Sequence, residues 1–416
     1  MTGRGARRLL RAVVPLLVAV ACLRSHHPGP PPLRVGTSGD YPPFSLERRE
    51  EFTGFDVEVA RRFAHDTDRP LELVRFRWPE LAADLTAGRF DVAMGGITLR
   101  PERAVIGTFT RPVLEVTAVV LVRTGLASTT AELDRPTIRL AVNAGGHLEQ
   151  VAHRFFPHVG LLPSPNDALT GLLRDDQADA VLTDDVEADV LAAALPDTVR
   201  LGPLTRDRKA YLARDPLRAA ELDAWLRARE EDGTLAELRA RWFGATRQNR
   251  RSAFDSDLAA LVSLIDLRLA LMPAVAVAKE TAGLPVADPA QEDRVIARVR
   301  TRARARDLSP ESVEALFRAQ LAAARAIQET YLAQAPGERP PVPTLDLQHE
   351  ARPALAAISD AIVERAGDLA EDPGHLTSID PRRLAEMFDG GLVPPALRLG
   401  IARTIPHVQR VSTPRP

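Results

Sequence analysis

Strand-like and helix-like segments alternate from residue 33 to residue 244, and beyond about residue 254 the strand signal stops. "LRVGTSG", "LELVRFR", "FDVAMGG", "TIRLAVN" and "ADAVLTD" are short apolar runs of strand length. Between them lie "GFDVEVARRFAHD", "WPELAADLTAG", "HLEQVAHRFF" and "PNDALTGLLRDD", with helical spacing of apolar residues, and a helical stretch from Pro216 to Trp242 closes the region. That alternation specifies an α/β domain. "VTAVVLVR" and the later "VRLGPL" are expected to cross between two lobes, each with its own small sheet and a cleft between them. After residue 254 only helical periodicity remains, in "FDSDLAALVSLIDLRLALMPAVAVAKE", "ADPAQEDRVIARVRTRARARD" and "ESVEALFRAQLAAARAIQETYLAQ". Asp288 before Pro289, and Ser309 before Pro310, are placed to cap the second and third of these helices. A chain of 416 residues exceeds one typical core. The reading is therefore a two-lobed α/β domain over 33–244, a linker over 245–255 and an all-α domain over 256–416.

Residues 1–30 read as an export signal. Arg4, Arg7, Arg8 and Arg11 precede the apolar run "AVVPLLVAVA", which is too short for an ordinary membrane-spanning helix. Cys22 follows as the only cysteine, so no intramolecular disulfide can form. "VAVAC" makes Cys22 a candidate lipid-anchor site, although Ala19 stands where a lipobox carries leucine. A formal net charge of −2 argues against a nucleic-acid partner. Of 54 basic side chains only Lys209 and Lys279 are lysines. Lysine is a compact point charge, whereas arginine is a planar fork, so each lysine in so arginine-rich a chain is a candidate functional group.

In "FDVAMGGITLRPERA" a strand runs into two glycines, then Thr98 and Arg103. Glycines permit close approach of backbone to a ligand, and a threonine with an arginine can hold a carboxylate. With "TSGDYPPFS", "GFDVEVAR", "RWPELAADL", "AVNAGGHLEQVA", "ADAVLTDDVEA" and "RKAYLARDP", the stretch resembles the type 3 extracellular solute-binding proteins, and more closely their enzymatic relatives, the cyclohexadienyl dehydratases. That resemblance implies roles residue by residue. Asp184 matches the acid that receives a ligand ammonium in transport binders, Glu187 the catalytic glutamate of the dehydratases, and Lys209 a lysine of the dehydratases. Thr98, Arg103 and the backbone of Gly145 and Gly146 would hold carboxylates, with Tyr41 and Trp78 walling a ring. Two positions depart from the pattern: His147 replaces a threonine after the glycine pair, and Val113 replaces an aromatic after "FTRP". His147 stays in the expected binding set. The dehydratase reaction expels hydroxide and carbon dioxide from prephenate, so it needs a carboxylic acid that remains protonated.

The helical half, through "LIDLRLALMPAVAVAKE", "LPVADPAQE", "FRAQLAAARAIQ" and "LDLQHEARPAL", resembles the all-helical chorismate mutases, most closely the exported subclass. Arg268 and Lys279, eleven residues or about three turns apart, are expected on one side of one helix. By the resemblance, Arg268 and Arg352 would take the carboxylates, Lys279 and Gln328 would face the ether oxygen, and Asp288 and Glu292 would complete the site. Gln291 replaces an arginine and Ala324 a hydroxyl residue of the family pattern. The expectation is an exported bifunctional enzyme acting on chorismate and then on prephenate or arogenate, with no cofactor and no metal. Oligomeric state is left open, with a homo-oligomer compatible with the reading. The rival reading is a non-catalytic binder of an amino or keto acid fused to a helical interaction domain.

Overall fold

The computed structural model describes residues 30–244, 256–388 and 393–411. The export signal, Cys22 and the 245–255 connection lie outside the described residues. In the first lobe five strands form one sheet in the order Leu71–Arg75, Leu33–Thr37, Val92–Ala93, Leu212–Ala213, Thr108–Phe109. The first three are parallel, and Leu212–Ala213 runs antiparallel to both of its neighbours. A second five-stranded sheet has the order Gly160–Ser164, Arg139–Asn143, Ala180–Asp184, Ala118–Arg123, Thr198–Leu201. Its first three strands are again parallel. Each parallel set points its carboxyl ends at the cleft, where open α/β sheets bind ligands.

Leu114–Val116 leads the chain outward between the lobes, and Asp207–Lys209 pairs antiparallel with it on the way back. This corrects the reading of "VTAVVLVR" and "VRLGPL" as the two crossing strands: Ala118–Arg123 lies within the second sheet. Thr198–Leu201 is instead an edge strand of the second sheet, paired with Ala118–Arg123. Pro203 has no N–H to donate and cannot extend that ladder, so the crossing is delayed to the polar segment that follows.

The helical half contains Ser256–Ala270, Met272–Thr281, Pro289–Ala305, Pro310–Leu332 and Arg352–Leu369, followed by shorter helices. Asp288 accepts from the Gln291 N–H and Ser309 from the Ser312 N–H, as capping residues do. The expected single helix carrying Arg268 and Lys279 is interrupted at Leu271. Pro273 cannot donate to, and its ring crowds, the carbonyl four residues back at Leu269. The three-turn spacing argument therefore does not carry; both side chains are nevertheless buried.

Buried apolar side chains of the first lobe and the helical half form one continuous cluster, whereas the second lobe has two clusters of its own. Arg111 stands at the seam with its side chain 1 % exposed. Its guanidinium reaches Asp223 at 3.0 Å and Asp257 of the first helical-half helix at 2.5 Å. Arg365 adds a second cation to Asp223 at 2.5 Å. A guanidinium so deeply buried is tolerable only when it is paired and hydrogen-bonded. Replacing Asp223 with alanine is expected to destabilise the full chain by about 3–5 kcal/mol, because the Arg111 charge stays buried without its principal partner. Asp257→Ala, at a position 24 % exposed, should cost clearly less in the same urea-unfolding series. Equal losses would show that burial is not what gives this joint its strength.

Candidate functional site

The first wall of the cleft comes from loops at the carboxyl ends of the first sheet. After Leu33–Thr37 the chain turns through Asp40 and Tyr41; after Val92–Ala93 it passes Gly95 and Gly96 to Thr98. Gly96 has φ +73°, and a Cβ there would lie 2.5 Å from Tyr41 Cε1. Only glycine lets the phenol lie against this backbone. Trp78 stands edge-on to Tyr41, with ring centroids 5.6 Å apart, and its indole N–H donates to Asp40 at 3.2 Å. Tyr41 and Trp78, expected to wall a ring, thus pack against each other. Arg103 is 8 % exposed and donates from Nη1 to the Thr98 carbonyl at 2.9 Å. Burial lowers its pKa to about 10, still charged at neutral pH.

Lys209, on the returning crossover strand, joins the walls. Its Nζ lies 3.2 Å from Asp184 Oδ2 and donates to Tyr41 Oη at 3.0 Å and Thr98 Oγ1 at 3.1 Å. Tyr41 Oη donates to Asp184 as well. Asp184 also caps the Asp185–Ala194 helix, accepting from the Val186 and Glu187 N–H groups. The acid expected to meet a ligand ammonium therefore already holds the chain's own ammonium.

Glu187, on the first turn of that helix, is 1 % exposed. Asn166 Nδ2 donates to Glu187 Oε1 at 2.6 Å, and Thr183 donates to Oε2. Burial first, and then the Asp184 charge, push the Glu187 carboxyl well above the usual carboxylate range. That environment favours the proton-bearing form of the acid. Asn166 also donates to the Asp40 carbonyl across the cleft at 2.8 Å, so one amide orients the acid and ties the lobes. Sequence reasoning missed Asn166 because Pro165–Asn166 before a helix has the composition of an ordinary turn.

The glycine pair departs from expectation. Gly145 N–H donates to Glu149 at 2.6 Å, so this anion-binding N–H is met by the chain's own carboxylate. Gly145 has φ +68° and its missing Cβ would fall 2.8 Å from Pro79 Cγ of the opposite lobe; its role is close approach of the lobes. Gly146 precedes His147, which is buried, with Nε2 2.8 Å from Asp207 Oδ1.

In the helical half Arg268 is 4 % exposed, with Nε 3.4 Å from Ser359 Oγ and the guanidinium over the Phe317 ring. Burial lowers its pKa to about 10. Gln328 Nε2 donates to the Ala324 carbonyl at 3.1 Å. Three buried polar atoms here have no protein partner: Arg268 Nη1, Gln328 Oε1 and Gln320 Oε1. Buried polar groups are ordinarily hydrogen-bonded, so these unpaired atoms fit a polar ligand among the helices. Gln320 escaped sequence reasoning, although its spacing of two four-residue steps from Gln328 puts both on one helix face. Lys279 Nζ donates to the Val286 carbonyl at 2.7 Å. Burial lowers its pKa, and Asp288, Arg352, Glu292 and Arg325 surround it electrostatically. Arg352 lies 3.8 Å from Asp288 and donates to Gln348 at 2.6 Å. Glu292, expected at the ligand, pairs with Arg325 at 2.9 Å. Among the described residues no cluster of three or more His, Cys, Asp or Glu side chains has metal-binding geometry.

Residues 33–245 match the bacterial extracellular solute-binding proteins, family 3, and residues 255–329 match chorismate mutase type II. The cyclohexadienyl dehydratase of Pseudomonas aeruginosa is 33% identical over 219 residues, covering 50% of this chain and 82% of the relative. The L-cystine-binding protein TcyJ of Escherichia coli is 29% identical over 222 residues, covering 51% and 83%. Among solved structures, an ancestral amino-acid-binding protein, a precursor of cyclohexadienyl dehydratase, is 30% identical over 51% of this chain and 95% of its own, with a TM-score of 0.48. An enzyme and a binder thus both stand among the relatives of the first half. By the span of the first match and the identity to the dehydratase, the chain belongs to the family 3 extracellular solute-binding proteins, with a chorismate mutase type II segment following that domain.

Proposed function

We propose that the chain is a bifunctional enzyme: its helical half rearranges chorismate to prephenate, and its α/β half converts prephenate to phenylpyruvate. The observation that carries the second assignment is Glu187, a desolvated carboxylic acid oriented by Asn166 and Thr183 inside the cleft. Aromatisation of prephenate breaks the ring C–OH bond while the ring carboxylate leaves as carbon dioxide. Glu187 donates its proton to the departing hydroxyl, which leaves as water, and the electrons of the C–carboxylate bond complete the aromatic ring. Arg103 takes a carboxylate, and Tyr41 with Trp78 walls the ring. A binder of amino acids would keep Asp184 for the ligand ammonium. Here Lys209 occupies it, which favours the enzyme over the binder and prephenate over arogenate.

The rearrangement of chorismate needs neither acid nor base. It needs the substrate folded into reactive geometry and charge on the ether oxygen stabilised. Arg268 and Arg352 serve the carboxylates, and Lys279 and Gln328 serve the ether oxygen. The match to chorismate mutase type II and the unpaired polar atoms of Arg268 and Gln328 support this half of the reading. Export belongs to the proposal too: the matched family is extracellular by description, and Arg4 to Cys22 has the charged-then-apolar order of a signal.

Incubated with chorismate alone, the purified full chain should form phenylpyruvate, read by its absorbance in alkali. Glu187→Gln should lower prephenate dehydration by at least about a hundredfold while the mutase rate is kept. The acid is active only when protonated and burial raises its pKa, so dehydratase turnover should fall as the pH rises through a value above the ordinary carboxylate range. A variant with near-normal turnover would remove Glu187 from the reaction.

The mutase should follow a different pH law. Gln328 does not titrate, so its contribution is constant across pH. Gln328→Glu should yield a mutase that works best in acid, where the new carboxyl is protonated and can donate. An unchanged profile, recorded as mutase rate against pH, would place Gln328 away from the ether oxygen.

A further inference from the structure

His147 opens the nine-residue helix His147–Phe155 behind the glycine pair and is 8 % exposed. Nε2 is engaged with Asp207 at 2.8 Å, while Nδ1 is buried without any protein partner. An unpaired buried ring nitrogen is costly unless something else meets it. Asp207 lies two residues before Lys209 in the crossover strand, so both side chains share one face. Thr205 donates to the other Asp207 oxygen at 2.6 Å. Burial opposes ionisation of Asp207, but His147 and Thr205 overcome it and hold the carboxyl down at about 2. Asp207 is therefore an anion suited to accept an Nε2–H, and a neutral imidazole held that way would leave Nδ1 with a bare lone pair.

We propose that His147 selects the ligand of this cleft by taking up a proton when a dicarboxylate binds, with Asp207 as the positioning residue that holds the resulting imidazolium. The proposal rests on the dehydratase reading, whose substrate carries two carboxylates. Charge balance drives it. Arg103 and Lys209 are cations of the cleft, Lys209 is already paired to Asp184, and Asp207 is a further anion. A dicarboxylate adds two negative charges to a poorly solvated site that already holds carboxylates, and protonating His147 returns one positive charge. A carboxylate at Nδ1 and Asp207 at Nε2 would then flank the ring. An amino acid brings its own ammonium and one carboxylate, so it gains nothing from this proton.

The groups facing His147 set its sensitivity to pH. Burial, first, lowers its pKa; Asp207 from the crossover strand opposes this, while Arg100 and Lys209 reinforce it. Arg100, just before the Pro101–Ala104 helix, is itself engaged by Glu102 at 3.2 Å and by Gln150. Without a ligand burial outweighs Asp207, which favours the neutral ring. A second anion at Nδ1 tips the balance, so binding is linked to proton uptake.

The test uses the full-length Glu187→Gln protein, which should bind prephenate without converting it and has no acid of its own at position 187 to confuse the proton count. Calorimetric titration with prephenate in two buffers of different ionisation enthalpy, at ~1 unit above the ordinary imidazole pKa, counts protons taken up. The expected result is about one proton per prephenate, with affinity weakening by up to about tenfold per pH unit above that point. Adding His147→Asn should abolish the uptake and flatten the pH dependence. Adding Asp207→Asn instead should retain uptake only at lower pH, a readout that stands if the His147 variant folds poorly. No uptake in the Glu187→Gln protein, or unchanged uptake with His147→Asn, overturns the inference while prephenate turnover by the unmutated enzyme keeps the dehydratase reading standing. Failure of the unmutated enzyme to convert prephenate removes that reading and this inference together.

Discussion

The arrangement of the α/β half depends on one buried ammonium. Lys209 Nζ gathers Thr98 and Tyr41 from the first lobe and Asp184 from the second, each within 3.2 Å. Asp184 is doubly committed, because it also caps the helix that carries Glu187. A buried ion pair is a weak source of net stability, since desolvation offsets the Coulombic gain. Its effect here is geometric: it joins the lobes and places an anion beside Glu187, which helps to keep that acid protonated.

The strand that carries Lys209 faces two ways. Asp207 and Lys209 turn toward the cleft, and Arg208 between them turns toward the helical half. There it meets Asp266 at 2.9 Å and donates to the Met387 carbonyl. Asp266 sits two residues before Arg268. A period-two strand can serve a polar cleft on one face and an interdomain joint on the other. The first lobe also shares its apolar core with the helices, whereas the second lobe packs around its own sheet.

The two proposed reactions ask different things of their sites, and the side chains differ accordingly. The helical site offers fixed cations and an amide, with Arg268 and Gln328 each keeping a buried polar atom unpaired. The α/β site offers a titrating acid whose charged form is suppressed by burial. The first suits stabilisation of charge along a concerted rearrangement. The second suits delivery of a proton to a poor leaving group. Joining them in one chain fixes the two sites in a one-to-one ratio.

Periodicity alone separated an α/β half from an all-helical half, because strands and helices impose different spacings on apolar residues wherever one face is buried. Local chemistry also marked Asp288 and Ser309 as caps, and two lysines among so many arginines pointed to Lys209. What escaped the sequence was contact between residues distant along the chain. Asn166 reads as a turn residue until folding sets it against Glu187, 21 positions later. Gly145 reads as a ligand-facing turn until Pro79 of the other lobe is brought against it. The returning crossover was misread because the apolar strand Thr198–Leu201 is completed by a neighbour in the second sheet, leaving a short charged strand to cross. Residue type and order thus determined which groups were available for acid, cation and amide roles. Only the tertiary structure decided their charge and partners, because burial and long-range pairing set the proton on Glu187, the occupant of Asp184 and the unpaired nitrogen of His147.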